Sequence, residues 1–450
     1  MTGGASPATR AETRRRWAGA AGILAYLLLV LVPLLVALAP PRPGGRSFWL
    51  ELSLALGFVG LGQMGVQLAL IARFRSISQP FGIDLVMRYH RQLGTLAALL
   101  VLVHPLLLWW ERPALWRQLV PGGGGAALGT GVWSIGALLL LIVLSYWRRP
   151  LGLGYEAWRL SHALLGVAAL VLAQVHVSLA GVYVTAPWKQ LALWLWCAAL
   201  LGLIAFLRLI KPIALGRRPW RVVEVRPDIR GCWALVLAPV GHRGLTFAPG
   251  QFAWLKIAVS PWSLREHPLS FSSSAEHPER LEFGIKEAGD FTSTIGSFRP
   301  GTRAFLDGPH GSFSCDFHHT PGYLFVAGGI GISPMLSMLR TLADREDRGR
   351  HGLVYACSGW DRLAFRQEIE ALRERLDLEV TYVLEHGEEG FTGPVGYIGE
   401  ETLASHLGAD PGARQVFVCG PDRMMDAVED LLRRCGVPAR RISMERFNLV

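Results

Sequence analysis

Two stretches decide the fold of the first half of the chain: residues 88–110, RYHRQLGTLAALLVLVHPLLLWW, and residues 159–181, RLSHALLGVAALVLAQVHVSLAG. Each is long and apolar enough for a helix that crosses the hydrocarbon core of a bilayer, which takes about 20 residues. A helix in a soluble protein seldom stays apolar on all sides over such a length. Four similar runs bring the predicted number of spans to six, at 17–39, 48–72, 127–147 and 189–210.

The histidines inside these two stretches repeat with a single spacing. His90 and His104 lie in the first stretch, and His162 and His176 lie in the second, so both pairs are fourteen residues apart. Fourteen residues rise about 21 Å along an α-helix and complete just under four turns, so each pair shares one face. Two such helices side by side predict two facing imidazole pairs, each able to supply both axial ligands of one haem iron.

Two other interpretations of the histidines were weighed. Histidines in membrane helices also serve as hydrogen-bonding residues between helices. A di-metal site would need paired carboxylates, and neither stretch contains an aspartate or a glutamate. The identical spacing in two separate spans favours haem ligation, because buried ionisable residues in membranes are costly and tend to be functional.

The composition supports a membrane protein with a polar second half. Of the 450 residues, 51% are hydrophobic and only 18% are charged, which is too apolar for an ordinary soluble protein. The net charge of +10 comes largely from basic residues at the ends of the apolar runs. That placement is typical of membrane topology signals and argues against a nucleic-acid partner. The lipid bilayer is therefore the predicted partner of the first half.

The basic residues also predict an orientation. Fifteen arginines and lysines flank the spans on one side and five on the other, which places both termini in the cytoplasm of a multi-pass protein of the inner (plasma) membrane. The first run resembles a signal peptide, with Ala37-Leu38-Ala39 as a possible cleavage site. We interpret it as a retained span, because it is long and because Pro40 follows directly.

From Arg217 onward, charges and prolines return and the pattern changes. Short strands with frequent turns from Trp220 to about Cys315 predict a small antiparallel β-barrel. The segment 322–334, GYLFVAGGIGISP, reads as a buried strand that enters a glycine-rich turn and then a helix. Strands and helices continue to alternate at 352–376 and 415–435, which predicts a doubly wound α/β domain.

Two turns of this α/β domain are predicted to bind a nucleotide. Glycines in the first turn let the backbone approach a pyrophosphate, and the helix that follows supplies free N–H groups. The alternative is that this turn is only a tight connection between the strand and the helix. The second turn ends an apolar strand at the carboxyl edge of the sheet, where ligands bind. The residues of these turns are Gly328, Gly329, Gly331, Ser333 and Pro334 in the first and Cys419, Gly420 and Pro421 in the second.

Together these features resemble the ferric reductase and NADPH oxidase superfamily, in which a six-span haem domain is fused to a ferredoxin-reductase-like dehydrogenase. Residues 267–274, HPLSFSSS, are similar to its flavin-binding segment, and residues 286–292 to the segment after the FAD diphosphate. Residues 308–313, GPHGSF, are similar to the turn that ends its flavin domain. Arg446-Phe447 resembles the terminal aromatic that covers the flavin until nicotinamide displaces it.

The resemblance implies a set of site residues and cofactors. The implied cofactors are FAD, two haem b groups and NADPH or NADH. Ser270, Cys419 and Phe447 are the implied catalytic residues, although a buried, inert thiol is the alternative for Cys419. The implied cofactor-binding residues are His267, Pro268, Leu269, Ser270, Ser272, Lys286, Thr292, Gly328, Gly329, Gly331, Ser333, Pro334, Ser358, Arg362, Cys419, Gly420, Pro421 and Phe447, and the implied iron ligands are His90, His104, His162 and His176.

The choice of nucleotide rests on the residues after the second strand of the α/β domain, 353–357. Ser358 and Arg362 are placed to bind a 2′-phosphate, which favours NADPH. An ordinary surface arginine at the start of a helix explains Arg362 equally well.

The sequence thus predicts a multi-domain membrane protein. Its parts are a cytoplasmic segment 1–16, a six-helix transmembrane haem bundle 17–212, an antiparallel β-barrel FAD domain 216–318 and an α/β doubly wound nucleotide-binding domain 319–450. The predicted function is electron transfer from cytoplasmic NAD(P)H through FAD and two haems to oxygen, a ferric chelate or a protein on the outer side. An electron-donor module that feeds a separate membrane or periplasmic partner is the alternative.

Overall fold

The structure is a computed structural model that describes residues 7–41, 43–44, 46–72, 82–114 and 125–446. The chain divides into two compact units, an N-terminal unit drawn from residues 16–211 and a C-terminal unit formed mainly by residues 212–450.

Six long helices make up the N-terminal unit. By length and composition all six can cross a membrane, which confirms the six predicted spans. Large apolar side chains such as Leu99, Leu139 and Leu164 are exposed on them, as expected of surfaces that face lipid rather than water. The helices are α1 Pro7–Leu38, α2 Phe48–Leu70, α3 Ile83–Glu111, α4 Gly125–Tyr146, α5 Tyr155–Ala180 and α6 Pro187–Ala205, and α6 continues through a π-helical turn, Phe206–Ile210, into α7 Lys211–Gly216.

Glycines on α2 allow its neighbours to approach closely. A β-carbon on Gly62 would lie 1.9 Å from the carbonyl oxygen of Val30 on α1. A β-carbon on Gly65 would lie 2.4 Å from the ring of Trp196 on α6. Small residues at such crossings are the usual way for membrane helices to gain packing contacts, because apolar burial contributes little inside a bilayer.

A buried lysine joins one end of these helices. Lys189, near the start of α6, is fully buried, and its ammonium donates to the carbonyl oxygens of Ala37 at 2.9 Å, Pro41 at 2.8 Å and Tyr183 at 3.0 Å. These hydrogen bonds connect Lys189 to the end of α1 and to the segments that follow α1 and α5. The ammonium therefore does not face solvent, as a basic residue that marks membrane orientation usually does.

The first part of the C-terminal unit is a curled antiparallel sheet. Its six strands pair in the order β4-β3-β6-β1-β2-β5. An isolated bridge between Phe271 and Phe283, both fully buried, links the segment after β4 to β5 at the other end of this order. The strands are β1 Trp220–Pro227, β2 Cys232–Pro239, β3 Phe252–Ile257, β4 His267–Ser270, β5 Leu281–Lys286 and β6 Arg303–His310.

The second part is a parallel sheet with helices, as the alternating pattern predicts. Its five strands pair in the order β11-β10-β7-β8-β9. Every residue of β7 and β10 is buried, as expected of strands covered on both faces. The strands are β7 Tyr323–Gly328, β8 His351–Cys357, β9 Leu378–Leu384, β10 Gln415–Cys419 and β11 Ile442–Glu445, and the helices are α8 Ile332–Asp344, α9 Arg366–Arg373, α10 Glu400–Leu407 and α11 Asp422–Arg434.

Polar contacts hold the two sheets of the C-terminal unit together. The guanidinium of Arg340 on α8 donates to the carbonyl oxygen of Ser272 and to the carboxylate of Glu282, both at 2.8 Å, and also pairs with Glu368 on α9. This bridge fixes the edge of the curled sheet against α8, the helix that follows the glycine-rich turn.

Candidate functional site

The structure brings the four predicted histidines together as two facing pairs. The ring centroids of His90 on α3 and His162 on α5 are 6.1 Å apart, and those of His104 and His176 are 6.5 Å apart. Two metal–imidazole bonds of about 2 Å each, plus two ring radii of about 1 Å, place centroids about 6 Å apart across a shared metal. Both pairs therefore have the spacing that two axial ligands of one iron need.

The hydrogen bonds of the second pair fix which ring nitrogen is free. Nδ1 of His176 lies 2.7 Å from the carbonyl oxygen of Ala127, and Nδ1 of His104 lies 2.8 Å from that of Ser53. A carbonyl oxygen only accepts, so Nδ1 carries the proton in both rings. Nε2 then keeps its lone pair, which is the state that binds a metal.

At the first pair, His90 and His162, the hydrogen-bond partners of Nδ1 are side chains rather than backbone carbonyls. Oγ of Ser145 lies 3.1 Å from Nδ1 of His162, and its own proton goes to the carbonyl oxygen of Leu141 at 2.7 Å. The Ser145 oxygen therefore accepts from His162, as the carbonyls do at the other pair. At His90 the direction is reversed, because the amide nitrogen of Gln67 donates to Nδ1 at 2.7 Å.

These partners of the histidines were not predicted. A signal for two of them exists in the sequence, since Ser53 and Gln67 on α2 are fourteen residues apart, the same spacing as His90 and His104 on α3. Polar residues that match the histidine spacing on a neighbouring apolar span indicate partners for the rings.

Two glycines leave room for the second pair of rings. A β-carbon on Gly57 of α2 would lie 3.2 Å from Nδ1 of His104. A β-carbon on Gly131 of α4 would lie 2.9 Å from Nδ1 of His176, closer than real side chains approach. The positions of these rings thus depend on neighbours without side chains.

In the C-terminal unit, several distant segments end at one place. Ser270 ends β4 and is paired with Phe252 of β3, and Phe252 is also paired with His310 of β6. A β-carbon on Gly311, which has a φ of +97°, would lie 3.2 Å from the Phe252 ring and 3.1 Å from the carboxylate of Glu445. We name this place, where β3, β4, β6 and the ends of β10 and β11 meet, the strand-end cleft.

The two predicted nucleotide turns pack against each other beside this cleft. A β-carbon on Gly331 would lie 2.2 Å from the carbonyl oxygen of Cys419. A β-carbon on Gly420 would lie 3.0 Å from Cα of Gly328. Only glycines permit this approach, so the two turns form one surface of backbone at the carboxyl edge of the parallel sheet. Such a surface is suited to a diphosphate, because backbone N–H groups can point at it.

Ser270 has the burial and the hydrogen-bonding state expected of a residue that contacts a bound cofactor. It is 5% exposed, and among the described residues its hydroxyl has no hydrogen-bond partner. A buried hydroxyl without a partner is unfavourable, and such groups are few in folded proteins. The hydrogen-bonding edge of a flavin would supply the missing partner, so this residue fits FAD.

Other predicted binding residues use their side chains within the protein. The Thr292 hydroxyl accepts from the backbone N–H groups of Ala288 and Gly289, at 2.8 and 3.0 Å. Ser272 donates to Glu282 at 3.1 Å, and Ser333 donates to the carbonyl oxygen of Gly284 at 3.0 Å. These three hydroxyls shape the loops, which leaves backbone N–H groups to contact a cofactor.

The remaining predicted residues of the flavin segment lie in β4 and at the end of β5. The ring of His267 stacks on Phe291 at 3.6 Å with an angle of 5° between the planes. Pro268 and Leu269 are half-buried in β4, and Lys286 is exposed at the end of β5. The stacked pair connects the start of β4 to the loop that follows β5.

Cys419 is fully buried at the end of β10. Burial raises the pKa of its thiol well above the ordinary value, and the carboxylate of Glu445 raises it further. The side chain is therefore a neutral thiol rather than a thiolate. Phe447, the third predicted catalytic residue, lies outside the described residues.

Glu445 belongs to the strand-end cleft and was not predicted. It ends β11 directly opposite Cys419 of β10 and approaches Gly311 from the curled sheet. Nothing in its local sequence marks it, because its position follows from the addition of β11 to the edge of the sheet.

Comparison with known proteins supports both units. The family described as "Ferric reductase like transmembrane component" matches residues 56–173, and the "Oxidoreductase NAD-binding domain" family matches residues 325–430. The first match includes His90, His104 and His162 but ends before His176, and the second includes the glycine-rich turn and β8, β9 and β10.

Curated relatives cover about half of the chain. The chain is 30% identical over 235 residues to the reductase component of propane 2-monooxygenase from Rhodococcus jostii, which covers 50% of this chain and 62% of that protein. It is 30% identical to a flavohemoprotein from Deinococcus radiodurans, over 51% of this chain and 59% of that protein. It is 29% identical to ferredoxin–NADP reductase B from Sorangium cellulosum, over 51% of this chain and 96% of that protein. The matches thus span less than two thirds of the first two relatives.

Among solved structures, the flavohem-like FAD/NAD binding domain of a nitric oxide dioxygenase from Vibrio cholerae aligns with a TM-score of 0.46 and 21% identity, over 51% of this chain and 98% of that one. The family matches and the six apolar helices indicate a multi-pass membrane protein with an oxidoreductase NAD-binding domain. The chain joins a ferric-reductase-like transmembrane component to a ferredoxin-reductase-like NAD-binding domain, the domain combination of the ferric reductase and NADPH oxidase superfamily.

Proposed function

We propose that this protein transfers electrons from NAD(P)H, through FAD and two b-type haems, across the membrane to an acceptor on the outer side. One observation carries the proposal: two imidazole pairs with centroid separations of 6.1 and 6.5 Å stand at two levels of the same two membrane helices.

The chain holds each iron through residues beyond the ligands themselves. His90 and His162 are the proposed axial ligands of one haem, and His104 and His176 of the other. At His104, His162 and His176 the hydrogen bonds donated by Nδ1 orient the ring and raise its basicity as a ligand, as the partners of metal-bound histidines generally do. If two histidines held each haem iron, they would leave no open position at the iron, and an acceptor would have to react at the edge of the group.

At the strand-end cleft, the chain's residues bind and orient the two-electron partners. FAD, when bound, accepts a hydride from the nicotinamide and passes electrons on singly, which haem requires. The proposed role of Ser270 is to hydrogen-bond the reactive edge of the flavin. The proposed role of the turns 328–331 and 419–421 is to hold the dinucleotide diphosphate through backbone N–H groups.

The domain limits and the topology are part of the same proposal. We propose a haem domain 17–212, a closed β-barrel FAD domain 216–318 and a nucleotide domain 319–450. The curled sheet with its bridge from Phe271 to Phe283 supports the barrel. The excess of basic residues on one side of the spans supports cytoplasmic termini in the inner membrane.

A single experiment tests the proposal and ranks the acceptors. The purified full-length protein is assayed for haem by pyridine haemochrome and for flavin by absorbance, then mixed anaerobically with NADH or NADPH. We expect two haems and one FAD per chain and reduction of both haems. A chain without b-type absorption bands would contradict the proposal.

The acceptor is identified by adding oxygen, a ferric chelate or neither to the reduced protein. Oxygen consumption with superoxide formation indicates an oxidase, and chelate reduction indicates a ferric reductase. Reduced haems that react with neither indicate that the protein feeds a separate partner.

A further inference from the structure

A carboxylate that the sequence motifs do not include lies beside the turn after β8. In the parallel sheet, β7 and its glycine-rich turn lie between β10 on one side and β8 on the other. The turn after β10 begins with Cys419, an implied catalytic residue, so we place the nicotinamide on that side and the adenosine half of the dinucleotide toward the end of β8. In doubly wound folds the residues after that strand contact the adenosine ribose.

A loop from the next strand covers the end of β8. The N–H of Glu385, directly after β9, donates to the carbonyl oxygen of Cys357 at 2.9 Å. One residue further, the N–H of His386 is 3.3 Å from the carbonyl oxygen of Ser358. The segment after β9 therefore runs alongside residues 357–360, at the place where the ribose is expected.

Glu388 places its carboxylate at this position. Its Oε1 accepts a hydrogen bond from the backbone N–H of Trp360 at 2.8 Å, and a β-carbon on Gly359 would lie 3.0 Å from the same oxygen. The ring of Phe391 packs on that of Trp360 with centroids 5.8 Å apart, which holds the loop in place. The carboxylate is thus fixed beside the glycine of the β8 turn.

Two arginines near this position contact neighbouring side chains. Nε of Arg362 lies 3.5 Å from the carboxylate of Asp361, and the guanidinium of Arg366 lies over the Trp360 ring at 4.5 Å. No lysine or arginine occurs at positions 357–361. Two carboxylate oxygens, Oε1 of Glu388 and Oδ1 of Asp361, lie 3.0 and 3.1 Å from the place of a β-carbon on Gly359.

We infer that Glu388 selects NADH over NADPH. A carboxylate accepts a hydrogen bond from the 2′-hydroxyl of NADH, as acidic residues do in NAD-binding folds. The same carboxylate repels a 2′-phosphate, which carries close to two negative charges at neutral pH. This inference rests on the proposed function, and it reverses the preference for NADPH that Ser358 and Arg362 predict.

The test compares flavin reduction by the two nucleotides in the purified full-length protein under anaerobic stopped-flow conditions. We expect the second-order rate constant to be at least about tenfold higher for NADH, a modest value for a like-charge contact. Glu388→Gln keeps an oxygen that can accept from Trp360 but removes the charge. We expect Glu388→Gln to raise the rate constant for NADPH about tenfold and to reduce the preference for NADH by the same factor.

Glu374→Gln is the matched control. It makes the same change of charge on an exposed residue that precedes β9, at the opposite edge of the sheet, and we expect it to leave the ratio of the two rate constants unchanged. Equal or better reduction by NADPH in the wild type would overturn the inference but not the proposed function. An equal effect of Glu388→Gln on both nucleotides would also overturn it. Reduction by neither nucleotide would overturn both.

Discussion

A β-carbon on Gly131 would lie 2.9 Å from Nδ1 of His176, whereas one on Gly129, in the same helix, meets no atom within 4 Å. We expect Gly131→Ala to displace the His176 ring and to break its hydrogen bond to the carbonyl oxygen of Ala127. The haem content should then fall from two toward one per chain by pyridine haemochrome. Gly129→Ala is the control and should keep both haems. Full occupancy and unchanged spectra in Gly131→Ala would show that the ring does not bind iron.

A substitution of Ser145 tests the other pair, His90 and His162. Its hydroxyl accepts from Nδ1 of His162, so Ser145→Ala removes the partner that makes this imidazole a stronger electron donor. We expect the haem to stay bound and its midpoint potential to rise by tens of millivolts. For scale, a tenfold change in the relative stability of the two oxidation states is about 59 mV for one electron.

The measurement is a spectroelectrochemical titration of the purified protein. Ser134→Ala is the control, because Ser134 is a buried serine of the same helix whose hydroxyl donates to the carbonyl oxygen of Ala169 at 2.8 Å rather than contacting a histidine of the described residues. A shift in both variants, or in neither, would argue against a specific role for Ser145.

Ser270→Ala separates binding from chemistry at the strand-end cleft. The hydroxyl has no partner among the described residues, so its removal should cost little stability in the absence of FAD. Loss of one hydrogen bond to the reactive edge of the flavin should slow flavin reduction about tenfold, equivalent to about 1.4 kcal/mol. Ser405→Ala, which changes an exposed residue of α10, should alter neither the stability nor the rate of flavin reduction. Loss of FAD from Ser270→Ala would indicate a binding role, and an unchanged rate would exclude the proposed contact.

The thiol of Cys419 gives a pH-dependent prediction. Burial and the carboxylate of Glu445 raise its pKa, so the folded protein keeps the neutral form where an unfolded chain would begin to ionise. Its contribution to the free energy of unfolding is complete below the ordinary thiol pKa of about 8.5 and declines as the pH rises above it. Iodoacetamide labelling followed by mass spectrometry should modify Cys435, which is partly exposed, well before Cys419. Rapid labelling of Cys419 in the folded protein would show that the thiol is accessible.

Features encoded within one segment could be predicted from the sequence. The six spans follow from the length of the apolar runs, and the nucleotide turn follows from a strand, glycines and a helix in direct succession. The histidine pairs were found because one spacing occurs in two spans. These signals need no knowledge of which elements become neighbours.

Features that depend on neighbouring elements could not be predicted in this way. Gln67 reaches His90 because α2 lies beside α3, and Glu388 reaches the turn after β8 because β9 adds to that edge of the sheet. Local pattern also cannot show where a side chain points. The hydroxyl of Ser333 was expected to face a cofactor, and in the structure it donates to Gly284 in the curled sheet.

The stacked arrangement of the two imidazole pairs has an electrical consequence. Fourteen helical residues separate the two levels, so an electron that moves between them travels up to about 21 Å through a hydrocarbon core of about 30 Å. Moving one charge across the full membrane voltage corresponds to about 2.3 kcal/mol per 100 mV. On the proposed topology the electron moves outward. A membrane potential that is negative inside therefore assists each turnover, and each turnover depolarises the membrane. Turnover of this protein is then electrogenic, and continued activity requires protons or other cations to leave with the electrons.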